Sequence, residues 1–448
     1  MSFALKEVVT EKQVTTAWQE LLKSGCKLET EAGQSLRVIY PGKASDTPGS
    51  DFQDAVININ QHTLKGNIEI HVNSSGWHIH QHHLNPAYNN VVLHVALRYD
   101  RNGDIMLQNG DAIPAVIIGK YFTNNNIVQM PEMVPCSGIA KNSPEKLLKI
   151  LETAGTTRFL EKAAQFSDQI QHWDAGQCLY TGIMKALGYT RNQENFQELA
   201  EKVPLRVLES VGDPGNEAED HLQQLALLLG TAGFLPSQRP ESEYAPFEDY
   251  AYVKKLETVW ETIAQTEVMD YRAWQVFRVR PSNSPLRRLA GMGLLLQRYR
   301  RKSFLRGLSE LVVNAPLEKG HNLLEAGLMA ADDGYWARRF EFGKGYPGLG
   351  KWLIGESRAA DIVINVLLPF VYTRGQENGR KEPAEKALAL YCSYPPAETN
   401  TLERHMKAQF GLKSTQINSA RRQQGLLHLY KKWCTQGRCG ECEVVGLE

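Results

Sequence analysis

An α/β N-terminal domain followed by a mostly α-helical domain is the fold class this sequence predicts, on three observations. Up to about residue 140, one amphipathic helix precedes short apolar or alternating runs separated by turn residues, the pattern of strands. Beyond Ser143-Pro144-Glu145-Lys146, where serine suits a helix cap and proline the first turn, apolar residues recur almost everywhere at i, i+3 and i+4. The chain then ends in one more helix and three closely spaced cysteines. The 448 residues divide accordingly into an α/β domain at 1–140, a helical domain at 141–418, and a terminal helix with a cysteine-rich, metal-binding tail at 419–448.

The opening helix is expected over Glu11 to Lys23. Strands are expected over Leu36 to Tyr40, Ala55 to Asn60, Asn67 to Asn73, Val91 to Leu97 and Ala115 to Tyr121. Helices follow over Leu147 to Phe166, His221 to Leu229, Tyr252 to Gln265, Leu286 to Arg298, Ala360 to Phe370 and Ala420 to Trp433. No internal repeat or low-complexity tract interrupts them.

Residues 50–71 carry the most chemistry. Asp51 stands at the mouth of one expected strand, and Glu69 and His71 lie two apart on the next. Side chains alternate along a strand, so Ile68, Ile70 and Val72 enter a core while Glu69 and His71 project together from the other face. Two carboxylates at adjacent strand ends hold a hard divalent cation through oxygen and leave positions for water and a phosphate. Asp54, a few residues on, is the substitute ligand if the register shifts. Six of the twelve histidines then fall between residues 71 and 94. With residues 77–82 extended, His78, His80 and His82 share one face, a spacing suited to zinc or to a phosphate-binding wall. His94 falls in an apolar strand, where it meets Glu69 and His71 if those strands pair.

An acidic residue opening one strand, and an acidic-x-basic triplet on its hairpin partner, resemble the core of the PD-(D/E)XK nuclease superfamily. Ser50 stands where that superfamily has proline, and His71 where it has lysine. Histidine is largely neutral at pH 7 unless a neighbour raises its pKa, so His71 serves as a base or a ligand, or marks lost catalysis. The ordered motifs Gly49-Ser50-Asp51-Phe52, Gly66-x-Ile68-Glu69-Ile70-His71, Ser74-Ser75-x-Trp77-x-x-His80-x-His82-His83 and Tyr88-Asn89-Asn90-Val91-x-Leu93-His94-Val95 resemble a bacterial family known only as a domain of unknown function. That resemblance covers most of the chain and brings no activity with it.

The nuclease resemblance implies a restriction-endonuclease-like mixed sheet and hydrolysis of DNA or RNA phosphodiesters with Mg²⁺ or Mn²⁺. Asp51, Glu69 and the Ile70 carbonyl would hold the ion, His71 would orient or deprotonate water, and His80, His82 and Tyr88 would line the phosphate or base pocket. Two further constellations bear on function. Arg278, Arg280, Arg287, Arg298, Arg300 and Arg301 form a basic stretch with Trp274 and Tyr299 nearby, composition that suits phosphate contact and base stacking or else a solvated helix face. Cys434, Cys439 and Cys442 offer three thiolates; His428 would complete a zinc site, while Cys136 or Cys392 would complete a four-thiolate site for zinc or an iron–sulfur cluster. Some nucleases of that superfamily carry such a cluster near the C-terminus.

Composition bounds the rest. Fifty lysines and arginines balance fifty aspartates and glutamates, so attraction to nucleic acid has to be local. No apolar run approaches the ~18–20 residues of a membrane span, and seven cysteines, an odd number, suit a reduced cytoplasmic setting better than a disulfide framework. Two other readings stand beside the nuclease: a noncatalytic nucleic-acid-binding or scaffolding protein, and a zinc hydrolase that uses the histidines on a small molecule.

Overall fold

A computed structural model describes residues 9–23, 26–45, 49–101, 103–122, 136, 138–211, 216–239, 250–263, 267–276 and 279–445. The chain separates into two compact units. One comprises residues 1–155, 399–418 and 422–448, and the other residues 156–398 and 419–421. The first boundary therefore falls inside the helix Pro144–Ile170 rather than at residue 140, and the cysteine-rich tail belongs to the same unit as the sheet.

The first unit is built on a seven-stranded mixed sheet. Its strands are β1 (Leu28–Glu29), β2 (Ser35–Tyr40), β3 (Lys43–Ala44), β4 (Phe52–Ile59), β5 (His62–Asn73), β6 (Val91–Arg98) and β7 (Ala115–Ile117). The order is β1-β2-β4-β5-β6-β7, with β3 added against β4. Pairing is antiparallel as far as β5, and parallel from β5 to β6 and from β6 to β7. The β4–β5 hairpin turns on Asn60 and Gln61, both with positive φ (47° and 72°), the pair of conformations whose twist matches that of the flanking strands. β6 lies between two parallel neighbours and is apolar on both faces over Leu93–Ala96 apart from His94, as a covered parallel strand requires.

Alternation along β4 sends its side chains to two different cores. Ala55 and Ile57 pack with Val14, Trp18 and Leu21 of the opening helix Glu11–Lys23, whereas Val56 packs with Tyr40, Leu426, Leu429 and Cys434 on the other face. The expected strand at Ala115 to Tyr121 ends at Ile117 and turns into a short helix, Gly119–Phe122.

The second unit is predominantly helical around one large apolar core. The helix expected over Ala360 to Phe370 is in fact three consecutive segments: Glu356–Ile362, a π turn at Val363–Leu367, and Leu368–Glu377. The π turn precedes Pro369, whose missing N–H and bulky ring oppose a regular i to i−4 ladder.

Candidate metal centre

Asp51 immediately precedes β4, and Phe52 pairs with Ile68 of β5, so Asp51 and Glu69 come together across the hairpin. The Asp51 amide donates to Glu69 Oε2 at 3.2 Å, and the Ile70 amide donates to Asp51 Oδ2 at 2.8 Å. Asp51 thus locks the strand that carries Glu69 and His71. On the other side of β5, the parallel register sets His94 opposite Glu69, and His71 Nδ1 lies 2.9 Å from His94 Nε2. Glu69, His71 and His94 share the sheet face opposite Ile68 and Ile70, as the alternation predicts. That face is covered: Glu69, His71 and His94 are all buried.

The cover is the segment after β5, and here the structure corrects the sequence reading. Residues 77–82 are not extended. Gly76–Ile79 forms a helical turn, Gln81 adopts a left-handed conformation (φ 58°), and His82–Leu84 forms a 3₁₀ turn. His80 and His82 are thereby folded over His71, while His78 meets His83 edge-on instead, ring centroids 4.7 Å apart. Gly76 permits this close cover, because a Cβ there would sit 2.6 Å from the His71 ring.

Among the described residues, one group of three ligand atoms lies within 4.8 Å of one another, and it belongs to His71, His80 and His82. Glu69 borders two of the three: its Oε1 is 3.2 Å from His82 Nε2 and 3.9 Å from His71 Nε2. His71 Nε2 is 3.2 Å from His80 Nδ1. His71 Nδ1 is paired with His94 Nε2, so the Nε2 edge of the His71 ring faces Glu69, His80 and His82, the way a neighbouring group orients a metal-binding imidazole. His82 Nε2 is buried, and its 3.2 Å contact with Glu69 Oε1 lacks the geometry of a hydrogen bond, a poorly satisfied state for a polar atom. A divalent ion would relieve it, so the residues present fit such an ion. Tyr88 stacks on the His82 ring at 3.8 Å and fixes its plane.

Burial sets the electrostatics. Desolvation pushes the Asp51 carboxyl up to about 7, with the nearby Glu69 charge adding to the rise. Desolvation likewise pushes Glu69 up to about 8. His71 and His94 are held down to about 2 and about 3, chiefly because burial disfavours the imidazolium; His82 is lowered for the same reason. His71 is therefore a neutral ligand-type imidazole and not a substitute for a cationic lysine. The site meets solvent on one side, where the His80 and Glu11 side chains are about half exposed and 3.9 Å apart. Glu11 has no motif around it and reaches the site only through the packing of the opening helix, so sequence spacing gave no signal for it.

Other expected site residues lie elsewhere. Asp54 is not the alternative ligand: a register irregularity between Phe52 and Ala55 turns it away, and its Oδ2 accepts from Tyr430 Oη at 2.7 Å. In the helical unit, Arg287 is fully buried, and its guanidinium donates to the carbonyls of Trp336, Arg339, Gly350 and Trp352. Those carbonyls belong to a stretch of short strands and turns whose regular pairing is brief, and the guanidinium supplies donors to several of them at once. Arg298 donates to Ala326 O and Gly327 O, and Arg300 pairs with Asp220 and the carbonyl of Val211. Trp274 and Tyr299 are buried and donate to Ala232 O and Gly327 O, so neither offers a face for stacking on bases. Arg280 and Arg301 are exposed; Arg278 lies outside the described residues. Arg287 is thus withdrawn from any phosphate-facing surface, while Arg298, Arg300 and Arg301 line one open cavity with Lys302, Glu209 and Asp220.

Three of the tail thiols find a fourth. Cys434, Cys439 and Cys442 line one small cavity with Cys136. Cys392 instead packs against the core of the helical unit, and His428 is buried but does not line that cavity.

A mixed-sheet α/β unit with a histidine–carboxylate pocket, together with a helical unit, defines the class of this protein. The chain belongs to the family described as "Protein of unknown function (DUF2851)", which matches residues 11–401. No curated protein and no solved structure matches it. Among the described residues, no helix is long and apolar enough to cross a membrane.

Proposed function

We propose that the protein is a metal-dependent phosphodiester hydrolase, with Glu69, His71, His80 and His82 holding the ion and nucleic acid as the substrate. The observation that carries this is the convergence of the three histidines, with Glu69 beside His71 and His82 and locked by Asp51, at the junction of an antiparallel hairpin and a parallel strand. A helix, three antiparallel strands and a fourth strand parallel to the third, with the acid before the second strand and the triplet on the third, is also the arrangement expected of a PD-(D/E)XK core.

A bound dication would polarise the scissile phosphate and lower the pKa of water. Imidazole donors select Mn²⁺ or Zn²⁺ over Mg²⁺, which prefers oxygen. Asp51 acts through position: its carboxylate accepts from the Ile70 amide and its own amide holds Glu69 Oε2. His94 orients His71, and Tyr88 orients His82. Glu11, at the solvent side of the pocket beside His80, is placed to take the proton of the attacking water. The same imidazole set also favours a second reading, a zinc hydrolase acting on a small diester.

Cleavage of single- and double-stranded DNA and RNA, and of a small chromogenic phosphodiester, should be assayed with Mn²⁺, Zn²⁺ and Mg²⁺. Polymer cleavage with Mn²⁺ or Zn²⁺ that is lost in Glu69→Gln and His82→Ala is the expected result. Cleavage of the small diester alone would favour the second reading. No hydrolysis of any substrate with any of the three ions would refute both.

A further inference from the structure

The tail cysteines form a second site, independent of the histidine pocket. Cys136 is distant in sequence from Cys434, Cys439 and Cys442, yet all four thiols border one cavity. The rest of its wall is apolar: Phe410, Leu429, Trp433 and Val445. The Gln409 side-chain amide bridges two of the thiols, with Nε2 3.2 Å from Cys136 Sγ and 4.0 Å from Cys434 Sγ. All seven cysteines of the chain are free thiols.

We propose that Cys136, Cys434, Cys439 and Cys442 hold an iron–sulfur cluster that staples the C-terminal tail to the sheet. Four thiolates from one chain satisfy the full ligand set of such a cluster. Spacing separates it from a single zinc ion. Zn–S bonds of about 2.3 Å at a tetrahedral centre bring the sulfurs within about 3.8 Å of each other. Among the described residues, no three of these sulfurs lie within 4.8 Å of one another. A cluster presents a separate iron to each thiolate and so takes a wider ring of ligands. Gln409, which donates toward two of the sulfurs, is the kind of hydrogen-bond donor that tunes a cluster.

The surroundings give the cluster a structural role. Val56 of β4 and Tyr40 of β2 belong to the same apolar group as the four cysteines. Gly437, between two of the ligands, passes so close to Val56 that a Cβ there would lie 2.8 Å from its Cγ1. On the same face, Tyr430 holds Asp54 and Gln436 accepts from Lys65 at 2.6 Å. All four protein ligands are supplied, which leaves no open iron for substrate. The cluster thus secures the face of β4 opposite the opening helix, next to the irregularity that follows Asp51.

The test is protein purified without oxygen or chelator and analysed for iron, acid-labile sulfide and zinc. Iron and sulfide in equal amounts, with broad visible absorbance that bleaches on reduction, are expected. Iron should fall to background in Cys136→Ser and Cys439→Ser but stay at the wild-type level in Cys392→Ser and His428→Ala. X-ray absorption at the iron edge of the wild-type protein supplies a readout that does not depend on the variants folding, and it should show sulfur ligation only. Zinc in place of iron, no metal at all, nitrogen in the iron shell, or loss of iron in Cys392→Ser with retention in Cys136→Ser would each overturn the proposal.

Discussion

Metal binding at the histidine pocket should be coupled to proton release from the buried Glu69 carboxyl and not from His71. Asp51 and Glu69 sit at about 7 and about 8, mainly because burial penalises their charged forms. His71 is already neutral at any ordinary pH. At pH 6, binding a dication therefore requires ionising the ligand Glu69 two units below its value, at 1.36 kcal/mol per unit. The cost is about 3 kcal/mol, so affinity should fall on the order of 10²-fold between pH 9 and pH 6. Isothermal titration of Mn²⁺ in buffers of different ionisation enthalpy would measure both the affinity and the protons released. Roughly one carboxyl proton at pH 6 and far less than one at pH 9 is expected; Glu69→Gln should remove it. The shifts also act on the metal-free fold, with opposite signs. The carboxyls have folded values above their unfolded ones, so the stability they contribute is complete below about pH 4 and is lost as pH rises through 7 to 8. His71 and His94 have folded values below their unfolded ones, so their contribution is complete above about pH 6.5 and is lost as pH falls toward 3. A pH-independent affinity, or proton release that persists in Glu69→Gln at the wild-type count, would refute the assignment of Glu69 as a buried, proton-linked ligand.

Three further outcomes follow from particular contacts. Gly76→Ala should leave the protein folded but weaken Mn²⁺ binding about tenfold to a hundredfold, because the new methyl displaces the His71 ring and overpacking of this kind costs about 1–3 kcal/mol; an unchanged affinity in titration would disprove the need for that clearance. Asp54→Asn should leave Mn²⁺ affinity within about twofold of wild type, since Asp54 bonds to Tyr430 and not to the site, whereas a collapse of affinity would restore it as a ligand. Arg287→Met should lower stability by on the order of 4 kcal/mol, read as a fall in the urea midpoint, because it strands buried carbonyls. Arg301→Ala should change stability by no more than about 0.5 kcal/mol, and equal effects for the two arginines would contradict the division between buried and exposed positions.

The parts of this fold that were legible in the sequence are those governed by local periodicity. Alternation along β5 placed Glu69 and His71 on one face, and the apolar run of β6 placed His94 within reach of both, because strand pairing then leaves a single register. The histidine segment was misjudged because its path depends on tertiary clearance. Gly76 must pass close over the His71 ring and Gln81 must turn left-handed, neither of which spacing alone encodes. Glu11 and Cys136 escaped firm placement for a related reason: each reaches its site across a long interval of chain, and only packing selects it from many equivalent residues. The arginines teach the converse. Their density looked like a surface property, yet four carbonyls between residues 336 and 352 converge on Arg287, and a guanidinium with five donors is the side chain best able to satisfy several at once. Positive charge in a sequence reports donor capacity as much as it reports a binding surface. Which of the two applies is decided by whether unsatisfied backbone lies nearby, a property of the fold rather than of the helix that carries the charge.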